Sequence, residues 1–195
     1  MKTPDLEGAT PVDSAQEEGL IPTHITTRGE LNAWEQRNIL KAEAWLLETR
    51  RNPLSVSFTR ELHKRMFDDT WEWAGKHRQS DTTIGSPWYE IPAKLTELIG
   101  DAEYWLRQTT YSIDEAAARL HHRLTSIHPF PNGNGRHARL MADVLLQRNG
   151  RERFAWGSDL EKKGAARDAY ILALRAADQN NYQKLFTFLK LAQRP

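Results

Sequence analysis

The 195-residue sequence contains no cysteine, which excludes a disulfide framework, cysteine-ligated zinc, iron–sulfur clusters and a thiol nucleophile. Long apolar runs are also missing, since stretches such as residues 170–174 fall far short of the roughly 18 residues that a membrane span needs. Lys2 is followed by Pro4 and Asp5 rather than by an apolar segment, so we expect no signal peptide. These absences predict a cytoplasmic protein without a membrane partner.

A strong net charge is absent as well, because 27 lysines and arginines face 26 aspartates and glutamates, for a formal charge of +1. Residues 1–19 hold one lysine and five carboxylates, a net charge of −4, whereas residues 20–195 carry +5. This modest basic excess is not the stripe of a nucleic-acid-binding protein, so we expect no nucleic acid partner. The acidic segment is either a solvated tail or a segment that folds over an anion-binding site.

Helical periodicity covers most of the chain. Apolar spacing predicts helices over residues 30–50, 59–67, 112–127 and 135–147, another after Gly164, and a last one over 182–191. Ser112 and Glu115 form the sequence pattern of a capping box. Residues 82–92 instead combine β-branched and aromatic residues with a turn, which predicts a short β-hairpin that is either a surface loop or a flap for a substrate segment. We therefore predict an all-α helical bundle with one hairpin.

A glycine-rich segment joins the two central predicted helices, with the sequence His128-Pro-Phe-Pro-Asn-Gly-Asn-Gly-Arg-His-Ala-Arg139. A loop of this kind that runs into a helix N-terminus offers backbone N–H groups and the positive end of the helix dipole to an anion. Gly133 and Gly135 would let the backbone approach a phosphate, and Asn134 would add a donor. The segment therefore predicts an anion site.

Three charged or titratable residues complete this candidate site. Arg136 and Arg139 are three residues apart on one helix, so each could bind a different phosphate through two N–H groups. His128 lies on the other side of the loop and can accept a proton from an attacking hydroxyl near neutral pH. Together these residues indicate transfer of a phosphate-containing group or a nucleotide.

The same segment resembles the Fic motif, H-x-F-x-[D/E]-G-N-G-R-x-x-R, at every fixed position except the acidic one, where this chain has Asn132. Residues 62–67 and 71–78 resemble the family's segment before the flap, and the resemblance extends from about residue 14 to residue 190. It is strongest to a small bacterial, toxin-like, mobile-element-associated branch called mobile mystery protein B. The implied organisation is an acidic segment with an inhibitory helix over residues 1–28 and a Fic domain over residues 29–195.

The resemblance implies a protein adenylyltransferase, which transfers AMP from ATP to a hydroxyl of a target protein that the sequence does not identify. By resemblance, His128 is the general base, Arg136 holds the β-phosphate and Arg139 orients the γ-phosphate. The residues that line the anion hole are Gly133, Asn134 and Gly135. Mg²⁺ is implied as a cofactor with Asn132 as its protein ligand, although a neutral oxygen binds a hard cation more weakly than a carboxylate does. A homodimer is compatible with the resemblance, and no residue pattern selects it.

Two further sets of residues take their roles from the same resemblance. The flap would align the main chain of the target, and its docking residues are Thr83, Ile84, Trp88, Tyr89 and Ile91. The segment from Ser14 to Gly19 resembles the family's inhibitory pattern, [S/T]-x-x-x-E-[G/N]. Its Glu18 would pair with Arg139 and leave ATP misoriented, which implies autoinhibition.

Two other functions remain open. A kinase or a transferase of another phosphate-containing group could use the same loop. The Doc-like branch, which phosphorylates, usually lacks the second glycine, so Gly135 favours AMP transfer. The second of these functions is that of a non-catalytic helical module, DNA-binding or antitoxin-like, in which the loop is only a connector.

Overall fold

The computed structural model describes residues 19–25, 27–157, 160 and 164–191. Its helices are α1 (Arg28–Glu48), α2 (Val56–Phe67), α3 (Ile91–Arg107), α4 (Ile113–Ile127), α5 (Asn134–Arg148), α6 (Ala165–Asp178) and α7 (Gln183–Phe188). In these described ranges the β-structure is limited to one isolated antiparallel bridge, between Leu20 and Trp71. The predicted all-α fold is confirmed. None of the described helices has the length and apolar character needed to cross a membrane.

Local caps explain where the helices begin. Thr27 accepts the N–H of Glu30 at 3.2 Å, and the Glu30 carboxylate accepts the N–H of Thr27 at 2.9 Å, which completes a capping box at α1. Ser112 accepts the N–H of Glu115 at 3.2 Å, as the sequence predicts, but the Glu115 carboxylate pairs with Arg119 one turn further on. The start of α4 is thus fixed by the serine half of the predicted box.

The core lies where α4 and α5 pack against each other. Helix α3 covers one side of α4, and α6 and α7 cover another, while α2 links α1 to α5. Leu120 and Leu124 of α4 are buried with Met141 of α5. Each such side chain contributes roughly 1.5–3 kcal/mol through burial. The two central helices therefore hold the ends of the glycine-rich segment rigidly.

The predicted hairpin over residues 82–92 is not formed as paired strands. Residues 79–87 form a loop with bends, and a 3₁₀ turn over Trp88–Glu90 leads into α3. The N–H of Ser86 donates to the carbonyl of Ile127 at 3.2 Å, so the loop pairs with the end of α4 rather than with itself. Helix α3 was not predicted, although Pro92 in its first turn and apolar Leu95 and Leu98 are typical helix signals. We call residues 79–90 the flap.

The chain immediately before α1 is attached to the turn that follows α2. The N–H of Ile21 donates to the carbonyl of Thr70, and the N–H of Glu72 donates to the carbonyl of Gly19, both at 2.9 Å. This attachment places Gly19 beside Trp71. The two residues of the predicted inhibitory pattern, Ser14 and Glu18, lie outside the described residues.

Candidate active site

The glycine-rich segment between α4 and α5 is closed by hydrogen bonds within itself. The N–H of Phe130 donates to Oδ1 of Asn134 at 2.9 Å, and Nδ2 of Asn134 donates to the carbonyl of Phe130 at 2.8 Å. The Phe130 ring is fully buried and anchors the loop in the core. The buried side chain of Asn134 therefore shapes the loop, and what this residue can offer an anion is its backbone N–H at the start of α5.

Gly133 is required by conformation and by packing. Its φ of +75° lies in the left-handed region, and a Cβ there would approach the ring of Phe67 to 2.6 Å. No side chain caps α5 at this N-cap position, so the first-turn N–H groups and the helix dipole are directed at whatever anion occupies the loop. The described backbone therefore has the left-handed glycine and the uncapped helix N-terminus that an anion site needs, and anion binding itself stays a prediction.

His63 holds the glycine-rich loop through one ring contact and two hydrogen bonds. Its ring stacks on Phe130 with centroids 3.7 Å apart, its Nε2–H donates to the carbonyl of Asn132 at 3.0 Å, and its Nδ1 accepts the N–H of Gly75 at 3.0 Å. These two bonds fix a neutral tautomer. Burial, with neighbouring His137, holds the pKa of His63 well below its ordinary value.

His128 ends α4 in a strained conformation. Its φ and ψ are 55° and 59°, which is left-handed and unusual for a residue with a side chain. Burial, with the nearby positive charge of Arg78, lowers the pKa of His128 from 6.5 to about 4, although a hydrogen bond with the Thr125 backbone acts in the opposite direction. The imidazole is therefore neutral at physiological pH and can accept a proton.

Arg136 is oriented by a buried carboxylate on α1. Its Nη1 donates to Oε2 of Glu35 at 2.8 Å, while Oε1 of Glu35 accepts Nε1–H of Trp71 at 2.8 Å. The guanidinium also lies 4.9 Å from the centre of the Phe67 ring. Glu35 is only 1% exposed, so its charge requires the paired cation. Arg136 is thereby held on the side of the loop that α1 and α2 form.

Arg139 lies one turn further along α5 and faces α6. Its Nη1 is 3.7 Å from the point where a Cβ at Gly135 would lie, and its guanidinium is 6.0 Å from the centre of the Tyr170 ring on α6. Tyr170 in turn shares a hydrogen bond with Nε2 of buried His121 at 2.9 Å. The two arginines thus extend from the first turns of α5 towards different helices, Arg136 towards α1 and α2 and Arg139 towards α6.

The flap presents an exposed surface close to His128. Thr83, Ile84, Trp88 and Tyr89 are exposed, with Tyr89 at 65%. Ile91 was expected to dock the target together with them, and this expectation is wrong, because Ile91 is the fully buried first residue of α3.

Residues 53–146 match the sequence model of the Fic/DOC family. This matched segment, just under half of the chain, is a Fic/DOC family segment. The protein adenylyltransferase fic-1 of Caenorhabditis briggsae is 34% identical over 110 residues, which are 54% of this chain and 22% of that protein. The protein adenylyltransferase Fic of Aedes aegypti is 29% identical over 156 residues, 74% of this chain and 31% of that protein. The chain thus matches less than a third of the length of these curated relatives.

Solved structures show the same Fic fold. Fic-1 of Caenorhabditis elegans, residues 134–508, has 24% identity and a TM-score of 0.67, with 89% of this chain and 51% of that chain covered. BepC of Bartonella tribocorum, solved with bound AMPPNP, has 19% identity and a TM-score of 0.66, with 94% and 99% covered. Within the family, the mobile mystery protein B branch stays a prediction.

The sequence resemblance implied one protein ligand for Mg²⁺, the neutral Oδ1 of Asn132. This Oδ1 already accepts the N–H of Gly133 at 2.6 Å, and the backbone carbonyl of Asn132 is taken by His63. Among the described residues, no group of three or more histidine, cysteine, aspartate or glutamate side chains could hold a metal. A protein-built metal centre therefore does not fit the described part of this Fic domain.

Sequence reasoning missed three residues of the candidate site. They are Glu35, His63 and Arg78. Their partners lie 101, 69 and 50 residues away in the chain, so local spacing gave no signal. The sequence offered one signal for Glu35. It lies four residues after Leu31 and four before Ile39, so a charged residue occupies the apolar face of the helix.

The buried histidines make the stability of this Fic domain dependent on pH. Burial lowers the pKa values of His121, His128 and His137 to about 3, 4 and 4, and that of His63 in the same direction. In the unfolded chain these histidines bind protons below about pH 6.5. In the folded chain the same side chains stay neutral until about pH 4. Stability is therefore complete above pH 6.5 and falls as the pH drops towards 4.

We expect the urea midpoint to fall between pH 7 and pH 5, with uptake on the order of two to three protons per unfolding event near pH 5.5. Burial is the chief cause that raises the pKa of Asp143 to about 6 in the folded chain. Near pH 5.5 this carboxylate therefore releases a proton on unfolding, which offsets less than one of the protons that the histidines take up. Urea titrations at pH 7, 6 and 5 measure the effect. A midpoint that does not change over this range would contradict the neutral assignment of these histidines.

Proposed function

We propose that the chain is a protein adenylyltransferase that transfers AMP from ATP to a hydroxyl of a target protein. The observation that carries this proposal is a neutral, buried His128 beside an uncapped helix N-terminus that Arg136 and Arg139 flank. Relatives named protein adenylyltransferases and the AMPPNP bound to BepC support the choice of ATP. His128 accepts the hydroxyl proton, the oxygen bonds to the α-phosphorus, and the bond to pyrophosphate breaks.

The described residues contribute mainly charge and position. The N–H groups at the start of α5 and the two flanking guanidinium groups lie where phosphates would enter the loop, with Arg136 assigned to the β-phosphate and Arg139 to the γ-phosphate. Arg136 has five N–H donors, so its bond to Glu35 is compatible with phosphate binding. The carboxylate of Glu35 fixes the position of this guanidinium before the nucleotide arrives.

Nucleotide binding also makes His128 a better base. A pKa of about 4 keeps the imidazole neutral but leaves it a weak proton acceptor. Phosphate charges close to the ring favour the imidazolium and raise this pKa. Proton uptake is therefore strongest when ATP and the target hydroxyl are both present.

We assign target docking to the exposed flap residues Thr83, Ile84, Trp88 and Tyr89. Mg²⁺ would enter with ATP, held by phosphate and water oxygens with Asn132 Oδ1 as its one protein ligand, and it would neutralise phosphate charge. The cytoplasmic location and a homodimer stay predictions from the sequence.

The first prediction tests the reaction. ATP labelled at the α-phosphate is expected to label the protein itself, and His128→Ala is expected to lower this labelling at least about 100-fold, because general-base catalysis contributes factors of this size. ATP binding, measured by calorimetry, should persist in the variant. His122→Ala removes another buried imidazole of α4, one that contacts Tyr182 and Asp178, and should keep most of the label.

Other outcomes identify the alternatives. Label that comes only from the γ-phosphate would indicate a kinase. Absence of both label and ATP binding would contradict the proposal and favour the non-catalytic helical module.

The second prediction concerns the metal. Asn132→Asp adds the carboxylate that the Fic motif usually has, so the Mg²⁺ concentration for half-maximal labelling should fall roughly tenfold, the equivalent of about 1.4 kcal/mol. Asn181→Asp adds the same charge between α6 and α7 and should leave the Mg²⁺ dependence unchanged. An unchanged dependence in Asn132→Asp would show that residue 132 does not ligate the metal.

We further propose that Glu18 inhibits the enzyme by pairing with Arg139. Support comes from the described neighbour: Glu18 is joined covalently to Gly19, whose carbonyl accepts the N–H of Glu72 at 2.9 Å. The adjacent Trp71 donates to Glu35, the partner of Arg136. The chain just after Glu18 is thus attached to the wall of the phosphate site.

The third prediction follows. Glu18→Gly should raise self-labelling by about 5- to 150-fold, the range of a typical coupling between two sites, because Arg139 becomes available to the γ-phosphate. Glu17→Gly removes a neighbouring carboxylate and should have little effect. Equal labelling in Glu18→Gly and the unaltered chain, with ATP binding intact, would contradict autoinhibition.

A further inference from the structure

One buried arginine connects the flap to the end of α4. Arg78 is 2% exposed, and its guanidinium donates to four backbone carbonyls. Nε donates to His128 at 2.7 Å, and Nη1 to Ser80 at 2.8 Å. Nη2 donates to Ser86 and, at 3.4 Å, to Ile127. Two of these carbonyls belong to the catalytic loop and α4, and two belong to opposite ends of the flap loop.

Backbone hydrogen bonds reinforce the same connection. The N–H of Arg78 donates to the carbonyl of Pro129 at 3.0 Å, and the N–H of Ser86 donates to that of Ile127 at 3.2 Å. Within the flap, the N–H of Trp88 donates to the carboxylate of Asp81 at 2.9 Å. The flap is therefore fixed at both ends, and residues 82–85 span the interval between these ends.

The flap also touches His128 directly. Gly85 has a φ of +111°, and a Cβ there would lie 2.7 Å from Cβ of His128 and 2.9 Å from Nη2 of Arg78. Because the backbone of Gly85 is this close, any displacement of the flap changes its distance from the imidazole. The position of the flap therefore determines its distance from the proposed general base, His128.

A buried charge in this place is difficult to explain by packing alone. The carboxylate of Asp81 is 3.8 Å from Nη1, but its side chain is 68% exposed, so carbonyl dipoles rather than a buried counter-ion balance most of the charge of Arg78. Burying a charge carries a large desolvation penalty, and an apolar residue would fill the space without it. The planar fork of five N–H donors, however, can join four carbonyls at fixed distances.

We propose that Arg78 is a positioning residue that holds the flap at a fixed distance from His128, so that a target segment lying on the flap presents its hydroxyl to the imidazole. Arg78 does not touch the reacting atoms itself. The inference rests on the proposed adenylyl transfer for its purpose, whereas the connection between flap and loop can be measured without any nucleotide.

The test uses Arg78→Lys, which keeps the buried charge and a long side chain but cannot reach four carbonyls. Arg167→Lys is the matched control, because Arg167 is a second buried arginine, and it donates to the carbonyl of Leu160 instead. We expect the amide of Ser86 to exchange its hydrogen at least about tenfold faster in Arg78→Lys, as expected for a locally opened segment. Amides within α4 should keep their rates, and the control should keep the Ser86 rate.

The second measurement separates positioning from stability. In Arg78→Lys we expect self-labelling from α-labelled ATP to fall about tenfold or more while the dissociation constant for ATP, measured by calorimetry, stays unchanged. A joint loss of ATP binding and labelling would show a merely structural role and overturn the proposal. Faster exchange at Ser86 with unchanged labelling would overturn it as well.

The two measurements also distinguish the two proposals. If the unaltered chain carries no label, adenylyl transfer is wrong, and hydrogen exchange at Ser86 still decides whether Arg78 fixes the flap. If Ser86 exchanges at the same rate in Arg78→Lys and in the unaltered chain, the inference about Arg78 is wrong whatever the labelling shows.

Discussion

The face-to-face contact between Phe130 and His63 determines the shape of the active-site loop. Both rings are fully buried, and His63 accepts a hydrogen bond from Gly75 and donates one to Asn132. Protonation of His63 would place a second N–H opposite the N–H of Gly75, so the loop requires the neutral ring. The conformation that presents the start of α5 to an anion therefore depends on an imidazole that precedes the flap in the chain and lies outside the motif.

Three arginines surround the loop, and their guanidinium groups contact different kinds of partner. Carbonyl dipoles surround Arg78, the carboxylate of Glu35 pairs with Arg136, and the ring of Tyr170 faces Arg139. Histidine contributes no positive charge here, because burial keeps the pKa of His128 low. A triphosphate would therefore meet a site that is already cationic and already oriented, which reduces the reorganisation needed for binding.

The sequence predicted the parts of the site that lie within one turn of each other, because a glycine-rich loop, a following helix and two arginines are encoded locally. It predicted α4 and α5 for the same reason. It could not predict the pairing of Glu35 with Arg136, since that contact depends on how α1 packs beside α5. The hairpin prediction failed because Arg78 and Ile127 satisfy backbone groups of Ser80 and Ser86 in the flap that a second strand would otherwise have satisfied. Helix α3 was missed because Pro92 stood among residues assigned to that hairpin.

His128 combines its proposed catalytic role with an unfavourable backbone conformation. A left-handed residue with a Cβ costs about 1–2 kcal/mol, and glycine is the residue that helices most often use at such an end. Residue 128 is thus a position where selection for folding alone would favour glycine over histidine. Under the proposed mechanism, stability and activity oppose each other at this single residue, so a search for more stable variants of this chain would tend to inactivate it.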